Sequence, residues 1–245
     1  MLIPLRDQDQ IDDGSLPYVT YALLAANVAI YGLSPLRGRD EDAIVEFVRK
    51  FAFFTTEPSP VHAVTSMFLH IDFLHLVGNM VFLWVFSQHA ELCLGHAKFA
   101  ALYLLTGIAG TYAFWAAAPA TGSIALGSSG AISGVLGFYL LAFPRNRIRI
   151  ALPVIRGFAP VAVPVWVAML AWIGYGDVWP IVTGKGAADG VAHAAHLGGF
   201  AAGALAAFLM IRRDRALAGA GGGASGGASP RAAGAWDKWI PEKRR

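Results

Sequence analysis

Apolar positions along this chain gather into six runs, divided by polar joints and one long loop. The first is "PYVTYALLAANVAIYGL", Pro17 to Leu33. The second spans about Leu74 to Gln88, the third Lys98 to about Ala118, and the fourth Ser129 to Phe143. The fifth covers Pro160 to Gly176 and the sixth Val191 to Ile211. A bilayer core about 30 Å thick is crossed by roughly 20 apolar residues, so each run predicts a membrane helix. The expected fold is an all-α membrane protein built as a six-transmembrane-helix bundle.

The polar stretches set the organisation. Residues 1–15 read as a cytoplasmic N-terminal segment; they are acidic, lack an apolar core and predict no cleavable signal peptide. Residues 16–215 hold the helical domain. Residues 216–245 are rich in Gly, Ala and Ser and predict a disordered cytoplasmic tail. In the long first loop, "DEDAIVEFVRKFAFF" has amphipathic spacing and predicts a helix lying on the membrane interface.

Composition agrees. The 245 residues are 56% hydrophobic and 14% charged. A soluble domain carries about 25% charged residues, so a large soluble enzyme is excluded. Cys93 is the single cysteine, which rules out an internal disulfide and a cysteine-based zinc site. Nothing in the net charge of +3 points to nucleic acid. Basic residues concentrate in "PRNRIRIALPVIR" and "RRDR", which predicts a cytoplasmic location for both termini. The Ala/Gly-rich composition suggests a bacterial cell membrane as the compartment.

Those arginines also supply a ruler. Ser129 lies 16 residues before Arg145, His196 lies 16 before Arg212, and His75 lies 16 before Glu91. At 1.5 Å per residue each sits roughly 24 Å from one membrane face. Three polar residues on three helices therefore share one depth, below the outer surface. Small-residue stripes point the same way. Gly130, Gly134 and Gly137 follow one face of the fourth span, and His196, Gly199 and Gly203 one face of the sixth. Small stripes let helices approach closely in lipid, and pairing these two brings Ser129 to His196.

A serine beside a histidine is a nucleophile beside a general base. No Asp or Glu falls at the matching depth within the spans, so a Ser129–His196 dyad without a carboxylate is expected. Acyl transfer also needs oxyanion donors, and a helix start offers free backbone N–H groups. The Ser129 N–H, with His75 and Asn79 at i, i+4 on the second span, supplies them. Ser128 and Ser133 are expected to bond back to helix carbonyls. His70 and His193 are expected to be structural or loop-facing. His70, His75, His193 and His196 raise the question of a metal, but neither an HExxH pattern nor a carboxylate cluster accompanies them, so no metal and no cofactor are predicted.

These residues resemble the rhomboid family of intramembrane serine proteases. "GSSGAISGVLG" matches its GxSG motif and assigns the nucleophile to Ser129. "AHLGGFAAG" matches the segment carrying the catalytic histidine, His196. "FLHIDFLHLVGNMVFLWVFSQHAE" matches the segment whose HxxxN pair, here His75 and Asn79, assists the oxyanion. The likeness covers roughly Pro17 to Arg215. Two features depart from it: Ser128 stands where alanine is more usual, and the first loop lacks the Trp-Arg pair of some members. The resemblance implies a rhomboid-like bundle that cleaves single-pass transmembrane proteins in the bilayer. It further implies a wet cavity open to the extracytoplasmic side and lateral substrate entry near the fifth span. "YGDVWPIVTGKGAADG" would then be a mobile cap. The alternatives are a catalytically silent rhomboid-like protein that binds membrane clients, and a metal- or proton-coupled transporter. The sequence sets no oligomeric state.

Overall fold

The computed structural model describes residues 3–7, 14–118, 122–154, 157–184 and 191–221. Strand β1 (Ile3–Asp7) precedes helix α1 (Tyr18–Leu33). The long loop then folds as α2 (Glu41–Phe51), the two-residue strand β2 (Phe53–Phe54) and the short helix α3 (Pro60–Thr65). Helices α4 (Phe73–Leu94) and α5 (His96–Ala117) follow. Strand β3 (Ile124–Ala125) pairs antiparallel with β2 and leads into α6 (Ser129–Ala142). A hairpin, β4 (Arg147–Val154) and β5 (Gly157–Pro164), feeds α7 (Val165–Ile173). One π-helical turn, Gly174–Val178, joins α7 to α8 (Trp179–Val182), and α9 (His193–Gly221) closes the described chain.

All six apolar runs contain a helix. Three helical stretches are long and apolar enough to cross a bilayer: His96–Ala117, Val165–Val182 and His193–Arg213. Pro60–Phe68 and Phe73–Leu94 form a fourth candidate, bent by 95°. Helices α1 and α6 are apolar but shorter, at 16 and 14 residues. Length and composition thus account for fewer crossings than six. Helix α6 can be short because Gly130 to Tyr139 is buried without a break. It runs inside the bundle against α9, α5 and α4, surrounded by protein rather than lipid, and so need not span the full bilayer.

The fold is mostly helical but departs from the all-α expectation. A three-stranded antiparallel sheet in the order β1-β4-β5 caps one end. The stretch read as a basic loop alternates Arg147 and Arg149, exposed, with Ile148 and Ile150, buried. That two-residue period with β-branched residues is a strand signal. The fifth run likewise turns helical only at Val165, since Pro160 and Pro164 disfavour a helix interior. The N-terminal segment belongs to the same sheet. Asp7 is buried; the Tyr139 hydroxyl donates to its carboxylate, and His89 Nδ1 lies 2.8 Å away. Asn146 Nδ2 donates to the Tyr139 hydroxyl at 3.3 Å. At the other terminus α9 continues past residue 215 to Gly221. The rest of the expected disordered tail, 222–245, lies outside the described residues.

Two polar devices fix the remaining helices. Pro17 offers no side-chain cap, so the backbone N–H groups of Val19 and Thr20 donate to buried Glu91 at 2.8 and 2.7 Å. A carboxylate at a helix N-terminus also suits its positive dipole end. In α2, Asp40 caps the helix by accepting from the Ala43 N–H. Ile44, Phe47, Val48 and Phe51 then pack against Leu36, Ala52 and Leu69. The amphipathic helix expected in this loop is therefore present.

Candidate active site

Ser129 is the first residue of α6, so its backbone N–H belongs to the turn that lacks intrahelical partners. Gly127, two residues earlier, adopts φ +112° and donates its N–H to the Ser66 carbonyl at 2.9 Å. A Cβ at Gly127 would come within 2.9 Å of the His75 ring. Only glycine lets the chain enter α6 this closely beneath α4.

His196 lies in the first turn of α9. Its approach to Ser129 is set by glycines further along. A Cβ on Gly199 would overlap the Gly130 carbonyl oxygen, and one on Gly203 the Gly134 carbonyl. The five stripe glycines have different tasks: a Cβ on Gly137 would overlap the Phe200 carbonyl of α9, and one on Gly134 would overlap Thr106 of α5. Gly199 and Gly203 supply clearance, whereas Gly130 contributes its carbonyl and has ordinary space at its own Cα. As a result the Ser129 Oγ and His196 Nε2 stand 2.8 Å apart.

The expectation of a site without a carboxylate is corrected. Asp177 Oδ1 lies 2.6 Å from His196 Nδ1 and 3.0 Å from His193 Nδ1. A carboxylate on Nδ1 selects the tautomer that carries its proton there and leaves Nε2 as the acceptor facing Ser129. Asp177 follows the fifth run by one residue, in a stretch read as a mobile cap. The structure makes it the inward-facing member of the π-helical turn. The available signal was an acid set between aromatic and aliphatic residues in "YGDVW". Trp172, also missed, tilts over the His196 ring with centroids 5.8 Å apart.

On the α4 side, the Asn79 amide donates to His70 Nε2 at 2.9 Å. Ser128 Oγ lies 3.4 Å from the same nitrogen and does not bond back to its helix as expected. Ser133 does, donating to the Ser129 carbonyl at 2.7 Å. His70 is fully buried in the turn before α4, and burial, aided by nearby His75, pushes its pKa down to about 4. It is therefore a neutral acceptor near pH 7. One Asn79 amide hydrogen is used by His70 and one remains. A cavity of about 20 Å³, room for a water molecule, is lined by Ser66, Gly127, Ser129 and Ala195 among others.

Asp177, His193 and His196 also bring one donor atom each within 4.8 Å of one another. The carboxylate companion thought missing from the histidines is thus present, with both imidazoles already hydrogen-bonded to it.

Fold and site together define a polytopic helical membrane protein with a serine–histidine pair at a buried helix start. The Rhomboid domain model matches residues 58–213, and the chain belongs to the rhomboid family. It is 32% identical over 214 residues to Rhomboid protein 1, mitochondrial, of Saccharomyces cerevisiae, covering 83% of this chain and 58% of that protein. It is 36% identical over 154 residues to Presenilin-associated rhomboid-like protein A, mitochondrial, of Danio rerio, covering 60% and 38%. It is 29% identical over 133 residues to Rhomboid protease GluP of Bacillus subtilis, covering 54% and 26%. The chain therefore spans well under two thirds of the length of these relatives. Mitochondrial and bacterial proteins both appear among them, so the similarity gives no support for the bacterial membrane expected from composition.

Proposed function

We propose that the protein is an intramembrane serine endopeptidase that cleaves transmembrane segments of other proteins. The carrying observation is the 2.8 Å contact between Ser129 Oγ and His196 Nε2 at the start of a buried helix. In this reading the Ser129 oxygen attacks the scissile carbonyl while His196 takes its proton. The carbonyl oxygen becomes an oxyanion, held by the Ser129 N–H, the free Asn79 amide hydrogen and the His75 ring N–H. His196 then protonates the leaving amine, and the C–N bond breaks to give an acyl-enzyme. A water, deprotonated by His196, releases the second product and restores the serine.

The substrates of this reading are single-pass proteins in the bilayer, entering between α4 and α7, where Phe82 and Trp172 meet with ring centroids 5.8 Å apart. A crosslink between α4 and α7 should abolish cleavage of membrane substrates, and full retained activity would count against that route. Six crossings, with both termini on the cytoplasmic side, complete the arrangement. No metal or cofactor takes part.

The deciding experiment uses purified protein in detergent with a transmembrane peptide substrate. Wild type should cleave it and should label with a fluorophosphonate at Ser129. Ser129→Ala and His196→Ala should each lose cleavage. Cleavage that survives Ser129→Ala rejects the assignment.

A further inference from the structure

The π-helical turn Gly174–Val178 turns its polar residue inward and its apolar residues outward. Asp177 is 1% exposed, while Tyr175 and Trp179, on either side, are 80% and 55% exposed. A buried, unpaired carboxylate is strongly disfavoured. Here one oxygen accepts from two imidazole N–H groups, at 2.6 and 3.0 Å, which offsets much of that cost. The other oxygen, Oδ2, is buried and has no hydrogen-bond partner among the described residues. A π-turn is rare and recurs at functional sites, because it re-aims one side chain without breaking the helix. The device here spends an unusual backbone register and an incompletely satisfied acid to place one oxygen on one imidazole nitrogen.

We infer that Asp177 is a positioning residue that extends the Ser129–His196 pair into a relay of three groups. This rests on the proteolytic reading above and deepens it. Asp177 fixes the His196 tautomer and ring plane and stabilises the imidazolium formed when Ser129 gives up its proton. It touches neither substrate nor the reacting carbonyl. His193 is its second donor and holds the carboxylate in place from one turn away on α9. Trp172 lies tilted against the His196 ring, with centroids 5.8 Å apart.

The test compares wild type with Asp177→Asn, Asp177→Glu and His193→Gln on a transmembrane peptide, with active sites counted by fluorophosphonate. Asp177→Asn should lower kcat by at least about 100-fold; changing a triad carboxylate to its amide elsewhere costs about 10⁴-fold. KM and thermal midpoint should move little, and Asp177→Glu should recover part of the rate. The titratable groups facing His196 are Asp177 from the π-turn, His193 on its own helix and His75 on α4. His193→Gln, which leaves the His196–Asp177 pair intact, should cost less than Asp177→Asn. An Asp177→Asn enzyme within threefold of wild type in kcat overturns the inference. If that variant fails to fold, nitrogen-15 histidine spectra of the wild type decide. A protonated, strongly downfield Nδ1–H assigned to His196 supports the relay, and a deprotonated Nδ1 overturns it. Failure of wild-type protein to show Ser129-dependent cleavage would instead remove the proteolytic reading itself, which separates the two failures.

Discussion

Gly199 stands where any side chain would meet the carbonyl oxygen of Gly130. This contact, one turn from His196 and one residue from Ser129, holds those two side chains in register. A Gly199→Val variant should push α9 away from α6 and lengthen the 2.8 Å contact. A 1 Å misplacement of reacting groups can cost about 100-fold in rate. The expected result is a loss of fluorophosphonate labelling of at least that size in protein that still purifies as a folded monodisperse species. Wild-type labelling rates would refute it.

Asn79 has one amide hydrogen left after serving His70. Asn79→Ala should therefore lower kcat by about 10²- to 10³-fold, the usual loss for one oxyanion donor. KM should change little, because the donor acts on charge that develops only during attack. Steady-state kinetics on a transmembrane peptide measure the split.

The Asp7 carboxylate pairs with Tyr139 and His89, all three buried. Asp7→Ala leaves two buried polar groups without this partner and should destabilise the fold by about 1–3 kcal/mol. Thermal unfolding in detergent should show the drop. Tyr139→Phe, which removes only a hydroxyl, should fall between this variant and wild type.

His70 gives a pH signature to stability. Burial holds its folded pKa near 4, below the ordinary 6.5. The unfolded chain therefore binds a proton first as pH falls. The contribution of neutral His70 is fully present above about pH 6.5 and is lost as pH descends towards 4. His70→Gln should flatten this part of the stability curve, which denaturation at stepped pH can read. An unchanged curve would mean the loss comes from other groups.

The cluster of Asp177, His193 and His196 could hold a divalent ion in place of its two protons. The proteolytic reading needs the protons. EDTA should leave cleavage unchanged, and cleavage restored by zinc after chelation would reverse the assignment.

Much of this site could be read from residue order. Hydropathy located a helix in every apolar run, and counting from Arg145, Arg212 and Glu91 put Ser129, His196 and His75 at one level. The glycine spacing gave the crossing that joins them. Asp177 is not legible from helical spacing, because it lies one residue past the fifth apolar run and a π-turn departs from the α-helical period. The sheet is masked because Arg147 and Arg149 carry the charge of a basic loop, which hides the alternation of Ile148 and Ile150. Nor did the sequence show that β1 reaches back to β4, since no local pattern encodes a pairing more than 140 residues apart.

Asp177 rides on the turn that extends α7, the same helix whose Trp172 meets Phe82 of α4. If substrates enter past α7 as proposed, an outward swing of that helix would also draw the acid off the imidazole. Admission and bond scission would then fall at different moments, with His196 regaining its partner once α7 has returned. Such an interlock would spare passing membrane helices from accidental cutting, without any separate inhibitor.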